Sequence, residues 1–205
     1  MHRAPGIACL ALFLLAGCAG DRTSGAVRES VRIPSGDPIG VVWNTGLFAE
    51  PYIHNQMMLD GTYGKAYENC VNAWIEGTFR MNGHLAKARR VTLGEQPVAP
   101  AGTRYVLVIV NKGATMPRRR EGIGAMEGFG TVFLEMDVEL RDRARRKVLW
   151  TGSETFFTDA RRNAAPVLRI VRGLAADGYL ERGAEQVVDY AGRPKLPEDL
   201  PACPG

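Results

Sequence analysis

The sequence predicts an α+β fold: a small sheet containing a long β-hairpin, with two helices packed on one face, in the order β-α-β-β-α. Three observations lead there. Tyr105 to Val110 is continuously apolar and rich in β-branched residues, as a central strand covered on both faces should be. Thr131 to Leu140 alternates strictly, with Val132, Leu134, Met136, Val138 and Leu140 on one face and Phe133, Glu135, Asp137 and Glu139 on the other. Two further stretches repeat their apolar residues every three or four positions, the spacing of a helix with one buried stripe.

In chain order, the first feature is not part of that domain. Arg3 precedes the apolar run Ile7 to Leu14, which ends in Leu15-Ala16-Gly17-Cys18. A basic start, a short apolar core and small residues before a cut describe an export signal, too short for a membrane span. With a cysteine directly after Leu-Ala-Gly, the segment resembles the lipobox of the bacterial lipoproteins. The resemblance implies that residues 1–17 are removed and that Cys18 is acylated, so that acyl chains hold the protein on a membrane at about 0.8 kcal/mol per buried CH₂. Ala19 rather than Asp follows Cys18. By the sorting rule of that class, this implies an outer-membrane anchor with the domain facing the periplasm.

Residues 18–37 are small and polar with no sustained period, and are expected to be a flexible tether. A single α+β domain is expected over 38–190. Its first strand is Ile39 to Trp43, bounded by Pro38 and Asn44-Thr45-Gly46; Leu47 to Met58 has no clear period. A helix should start near Thr62 to Lys65 and end at Asn82-Gly83, with Tyr67, Cys70, Val71, Trp74, Ile75 and Thr78 in its stripe. The strand Tyr105 to Val110 leads into a long connection, Asn111 to Gly130, carrying Arg118-Arg119-Arg120 and then Gly122, Gly124, Gly128 and Gly130. A connection of this length is more often functional than idle. The hairpin follows: Thr131 to Leu140, a polar turn at Arg141 to Arg146, and Lys147 to Phe157 returning. Acidic residues of the first hairpin strand are expected to pair with Arg145, Arg146 and Lys147. The second helix, Ala164 to Asp177, has Pro166 in its first turn, a Val167, Leu168, Ile170, Val171 and Leu174 stripe, and Gly178 as its stop. Val187-Val188 fits one further short helix, and residues 191–205 form a Pro-rich tail. The element order, with Val148-Leu149-Trp150-Thr151-Gly152 in the hairpin, is similar to that of the lipopolysaccharide-assembly, penicillin-binding-protein activator and curli-secretion lipoproteins.

Removing the signal from 205 residues leaves 188, enough for one domain with a real core. The formal charge of +4 falls to +3 without Arg3. With a pI near 9.0, this suits anionic head groups or polymers rather than nucleic acid. Of four cysteines, Cys9 leaves with the signal and Cys18 is acylated. Cys70 and Cys203 remain as an even pair in an oxidising compartment, and are expected to form a disulfide.

Chemistry-bearing patterns are sparse. Gly122-Ile123-Gly124 with Gly128 has the wrong interval for a phosphate loop and leads into a strand instead of a helix. Ser153 lies mid-strand without a hydrolase elbow. His54 and His84 have no metal-ligand spacing, and Glu135, Asp137 and Glu139 read as a solvated face. No cofactor, metal or catalytic residue is called for. The remaining cluster is Arg118, Arg119 and Arg120, whose forked guanidinium groups suit phosphates or carboxylates, with Met126 and Phe129 nearby as apolar contacts. The expectation is a non-enzymatic, lipid-anchored module that binds another envelope protein, with an anionic glycolipid or peptidoglycan as further possible partners. The rivals are a carrier for an amphipathic ligand such as lipopolysaccharide and an enzyme acting on peptidoglycan or lipid. A deep apolar cavity would favour the carrier, converging His and carboxylate groups the enzyme, and an open sheet edge the protein-binding module.

Overall fold

The computed structural model describes residues 22–44, 63–91, 98–115, 133–157 and 162–181. These form eight elements: β1 (Gly25–Val27), β2 (Ile39–Asn44), α1 (Tyr63–Met81), β3 (Ala86–Arg90), β4 (Tyr105–Thr115), β5 (Phe133–Asp142), β6 (Lys147–Phe157) and α2 (Ala164–Ala176). The strands make one mixed sheet in the order β1-β6-β5-β4-β2-β3. β2 runs parallel to β3 and β4, while β4, β5, β6 and β1 pair antiparallel in turn. This is the α+β class expected, with two strands more than the sequence patterns show.

Both helices cover the same face. Ile39, Val41 and Trp43 of β2, Tyr105, Leu107 and Ile109 of β4, and Leu134, Met136, Val138 and Leu140 of β5 join one core with Tyr67, Cys70, Val71, Ile75 and Phe79 of α1. Val167, Ile170, Val171 and Leu174 of α2 complete it. Fully burying such a side chain contributes about 1.5–3 kcal/mol. The continuous apolar run of β4 has a direct cause: Val106 and Val108 face away from the helices, in a second cluster with Val42 and Val91. Where that cover stops, Val110 is 45% exposed. The helices end as expected, with Gly83 at φ +78° and Gly178 at φ +84°, values that cost a residue without Cβ little.

The hairpin carries one irregularity. Leu140 pairs with Trp150 but Arg141 pairs with Val148, so Leu149 is an extra residue in β6. The bulge lets both Leu149 and Trp150 be fully buried. The turn is organised by Asp142, which prolongs the inward row of β5. It accepts hydrogen bonds from the Ala144 and Arg145 amides at 2.9 and 3.3 Å and from Arg104 Nη2 at 2.8 Å. The Arg104 bond is the main reason that the Asp142 carboxyl lies below the usual carboxylate range.

Four expectations are corrected. The stretch 18–37 is not all tether: Gly25–Val27 is an edge strand on β6, and Ile33 is fully buried with its amide bonded to the Tyr179 carbonyl at 2.8 Å. Ala86–Arg90 is a strand where none was expected. The connection expected from Asn111 starts later, because β4 continues to Thr115, past a register shift between Asn111 and Gly113, and pairs with Phe133. Arg145 and Lys147 pair with Glu29, at 2.8 and 2.9 Å, and the one acidic residue of β5 that Arg145 reaches is Asp142 at the turn, at 3.8 Å. The physical reason is the same for the first and last: the N-terminal segment lies along β6 and supplies the carboxylate nearest the turn. Residues 47–58, Val187-Val188 and the tail lie outside the described residues.

Candidate functional site

Of the sequence-predicted site residues, only Cys70 is described. It is buried on the inner face of α1, and its Sγ accepts the Trp74 indole N–H at 2.9 Å. Cys18, Cys203, Arg118, Arg119 and Arg120 lie outside the described residues, as do His54, Met126, Phe129 and the glycines from Gly122 to Gly128. Among the described residues, no helix is long and apolar enough to cross a membrane, and no three His, Cys, Asp or Glu side chains could share a metal ion.

What the fold does build is a junction immediately after the expected anchor. The Thr23 amide donates to the Arg169 carbonyl on α2 at 3.0 Å. The Thr23 hydroxyl donates to Glu154 Oε2 on β6 at 2.7 Å. Glu154 in turn receives a forked pair from Arg169, Nε at 3.0 Å and Nη2 at 2.8 Å, and the Thr155 amide at 2.9 Å. A carboxylate held by four donors in a partly buried site is a strong clamp. Close approach is required as well: a Cβ at Gly173 of α2 would strike the Thr23 carbonyl. Beyond Thr23, Gly25 and Gly152 are cross-strand partners, and the Trp150 ring occupies the space that a Cβ on either would need. Trp150 Nε1 donates to Asp177 at 2.8 Å, tying β6 to the end of α2. Sequence reasoning missed this junction because Asp21 to Gly25 carries no apolar period. The available signal was the alternation of Val31 and Ile33 further along, which marks a segment with a buried face.

No protein-family model matches the chain, and no curated protein does. Two solved structures of the PelC dodecamer from Paraburkholderia phytofirmans are similar to it. One is a single-site variant, 17% identical, covering 74% of this chain and 98% of that one at a TM-score of 0.39. The other is 15% identical, covering 75% and 97% at a TM-score of 0.38. A Xanthomonas campestris protein of family DUF330 is 11% identical, covering 76% and 91% at a TM-score of 0.26. At these scores the likeness carries nothing about activity, partner or assembly.

Three surfaces remain. The sheet face away from the helices carries Glu135, Asp137 and Ser153 as exposed residues, with Lys112 3.7 Å from Asp137. At the C-terminal ends of β2 and β4, Val42, Trp43, Asn44, Val91, Val108, Ile109 and Val110 line a cavity of 170 Å³. That is below the roughly 300–1,000 Å³ of small-molecule sites. The far edge of the sheet is β3, where Lys87 and Arg89 are exposed and one edge amide, that of Ala88, is already taken by Glu76 Oε1 at 2.8 Å. His84, expected at a helix end, is there but buried. Its Nε2 accepts the Glu181 amide at 3.1 Å, and its Nδ1 has no partner among the described residues.

Proposed function

We propose that the chain is a lipid-anchored cell-envelope protein, held on the outer membrane through Cys18 and working as a non-enzymatic binding or assembly module. The observation that carries this reading is Leu15-Ala16-Gly17-Cys18 at the end of a short apolar run with a basic start. Among the described residues β3 is an edge strand of the sheet, which supports a protein partner, because sheet edges accept partner strands. Arg118, Arg119 and Arg120 are proposed to meet an anionic component of the envelope, such as a glycolipid or peptidoglycan. Cys70 is proposed to pair with Cys203. Its sulfur is buried, and non-reducing peptide mapping that found Cys203 free would end that pairing.

The decisive experiment is Cys18→Ala followed through fatty-acid labelling and membrane fractionation. The variant should lose the label and leave the membrane fraction or remain uncut. Normal labelling and retention would refute the anchor.

A further inference from the structure

The junction at Thr23 limits how far the domain stands from its anchor. β1 runs antiparallel to β6, so the chain traced backwards from Gly25 heads toward the end of β6 at Phe157. Thr23 is bonded to Glu154, three residues short of that end, which is about 10 Å at strand rise. Four residues lie between Cys18 and Thr23, so five Cα-to-Cα steps reach at most about 17–18 Å fully extended. An acylated Cys18 therefore lies no more than about 8 Å beyond the end of the domain. The head-group layer of one leaflet takes roughly 5–7 Å of that. A single helix is about 10–12 Å across, so no helix of a partner protein fits between.

Phe133 and Phe157 form the last cross-strand pair at this end. Their ring centroids are 5.5 Å apart with the rings at 62°, and both are half-buried. Arg162, exposed just before α2, places its guanidinium 4.1 Å from the Phe157 ring centroid and 6.0 Å from that of Phe133. Arg22, the residue before Thr23, is exposed as well. Apolar rings with a guanidinium beside them suit a membrane surface, where the rings add apolar contact and Arg forks onto phosphate.

We propose that the end of the domain formed by Phe133, Phe157 and Arg162 rests directly on the phospholipid head groups, so that the β5–β6 turn points away from the membrane. This rests on the acylation of Cys18. The test uses full-length, processed protein reconstituted in phosphatidylglycerol–phosphatidylcholine liposomes, carrying an environment-sensitive fluorophore on Phe133→Cys or, at the opposite end, Ala144→Cys. Glu135→Cys replaces the first site if Phe133→Cys lowers the unfolding midpoint. Quenching by head-group nitroxide lipid should be several-fold greater at 133 or 135 than at 144, and Arg162→Gln should reduce its dependence on phosphatidylglycerol. Mass spectrometry of the same preparation reads acylation first. An unacylated Cys18 overturns both readings. Acylated, membrane-bound protein quenched equally at both ends, or more at 144, overturns the orientation alone.

Discussion

A single imidazole gives this domain a pH response that nothing in the sequence pattern announces. His84 is 1% exposed, and burial holds its pKa below the ordinary 6.5 despite the opposing pull of Glu181. The unfolded chain therefore binds a proton near pH 6.5 that the folded chain refuses until the pH is lower. Stability should be level above pH 6.5 and fall as the pH drops below it, by up to about 1.4 kcal/mol per pH unit. Asp142 acts in a separate window. Its carboxyl lies below the ordinary 3.8, so its contribution is complete above pH 4 and is lost only under stronger acid. Denaturant unfolding at pH 7.5, 6.5 and 5.5 distinguishes the two. His84→Gln should flatten the decline between the last two points; an unchanged slope in that variant would assign the response elsewhere.

At the scale of elements, the long and regular pieces were legible and the short ones were not. α1, α2 and β5 follow from three- and four-residue stripes or strict alternation that burial matches closely, and β6 follows as the returning strand of the hairpin. β1 escaped because its three residues are all exposed, and what places it is the Glu154 clamp and the Trp150 ring on either side of Gly25. β3 alternates too, but its inward residues are Ala86 and Ala88, whose small side chains and low strand preference give a faint pattern. The contact end was illegible for a further reason. Phe133 read as one member of a solvated face, and only the register that sets it beside Phe157, with Arg162 above, makes it part of a cluster. The docking of β1 makes a direct prediction. Gly173→Val drives a side chain into the Thr23 carbonyl, and overpacking of this kind costs about 1–3 kcal/mol. Unfolding midpoint and protease cleavage before Arg28 should both report it, with cleavage markedly faster in the variant. Unaltered cleavage would show that the N-terminal segment is not held by α2.

For the whole molecule, one end collects more than the proposed anchor. β4 ends at Thr115 and β5 begins at Phe133, paired to each other, so the connection that carries Arg118, Arg119 and Arg120 leaves and re-enters the fold at the end where the chain leads back to Cys18. An anionic partner proposed for those arginines is therefore one available near the membrane surface, and a lipid-borne glycan fits that placement better than a distant soluble ligand. Changing all three to Ser is expected to leave the unfolding midpoint nearly unchanged. Binding to vesicles containing lipopolysaccharide, and recovery of crosslinked envelope partners from intact cells, should weaken in the same variant. The remaining binding should be nearly independent of salt, because the screening length of about 10 Å at 0.1 M acts on charges that are no longer there. If binding and its salt dependence both persist in a normally folded triple variant, the anionic contact is not made by these arginines. The exposed Lys87 and Arg89 on the β3 edge would then be the residues to change next.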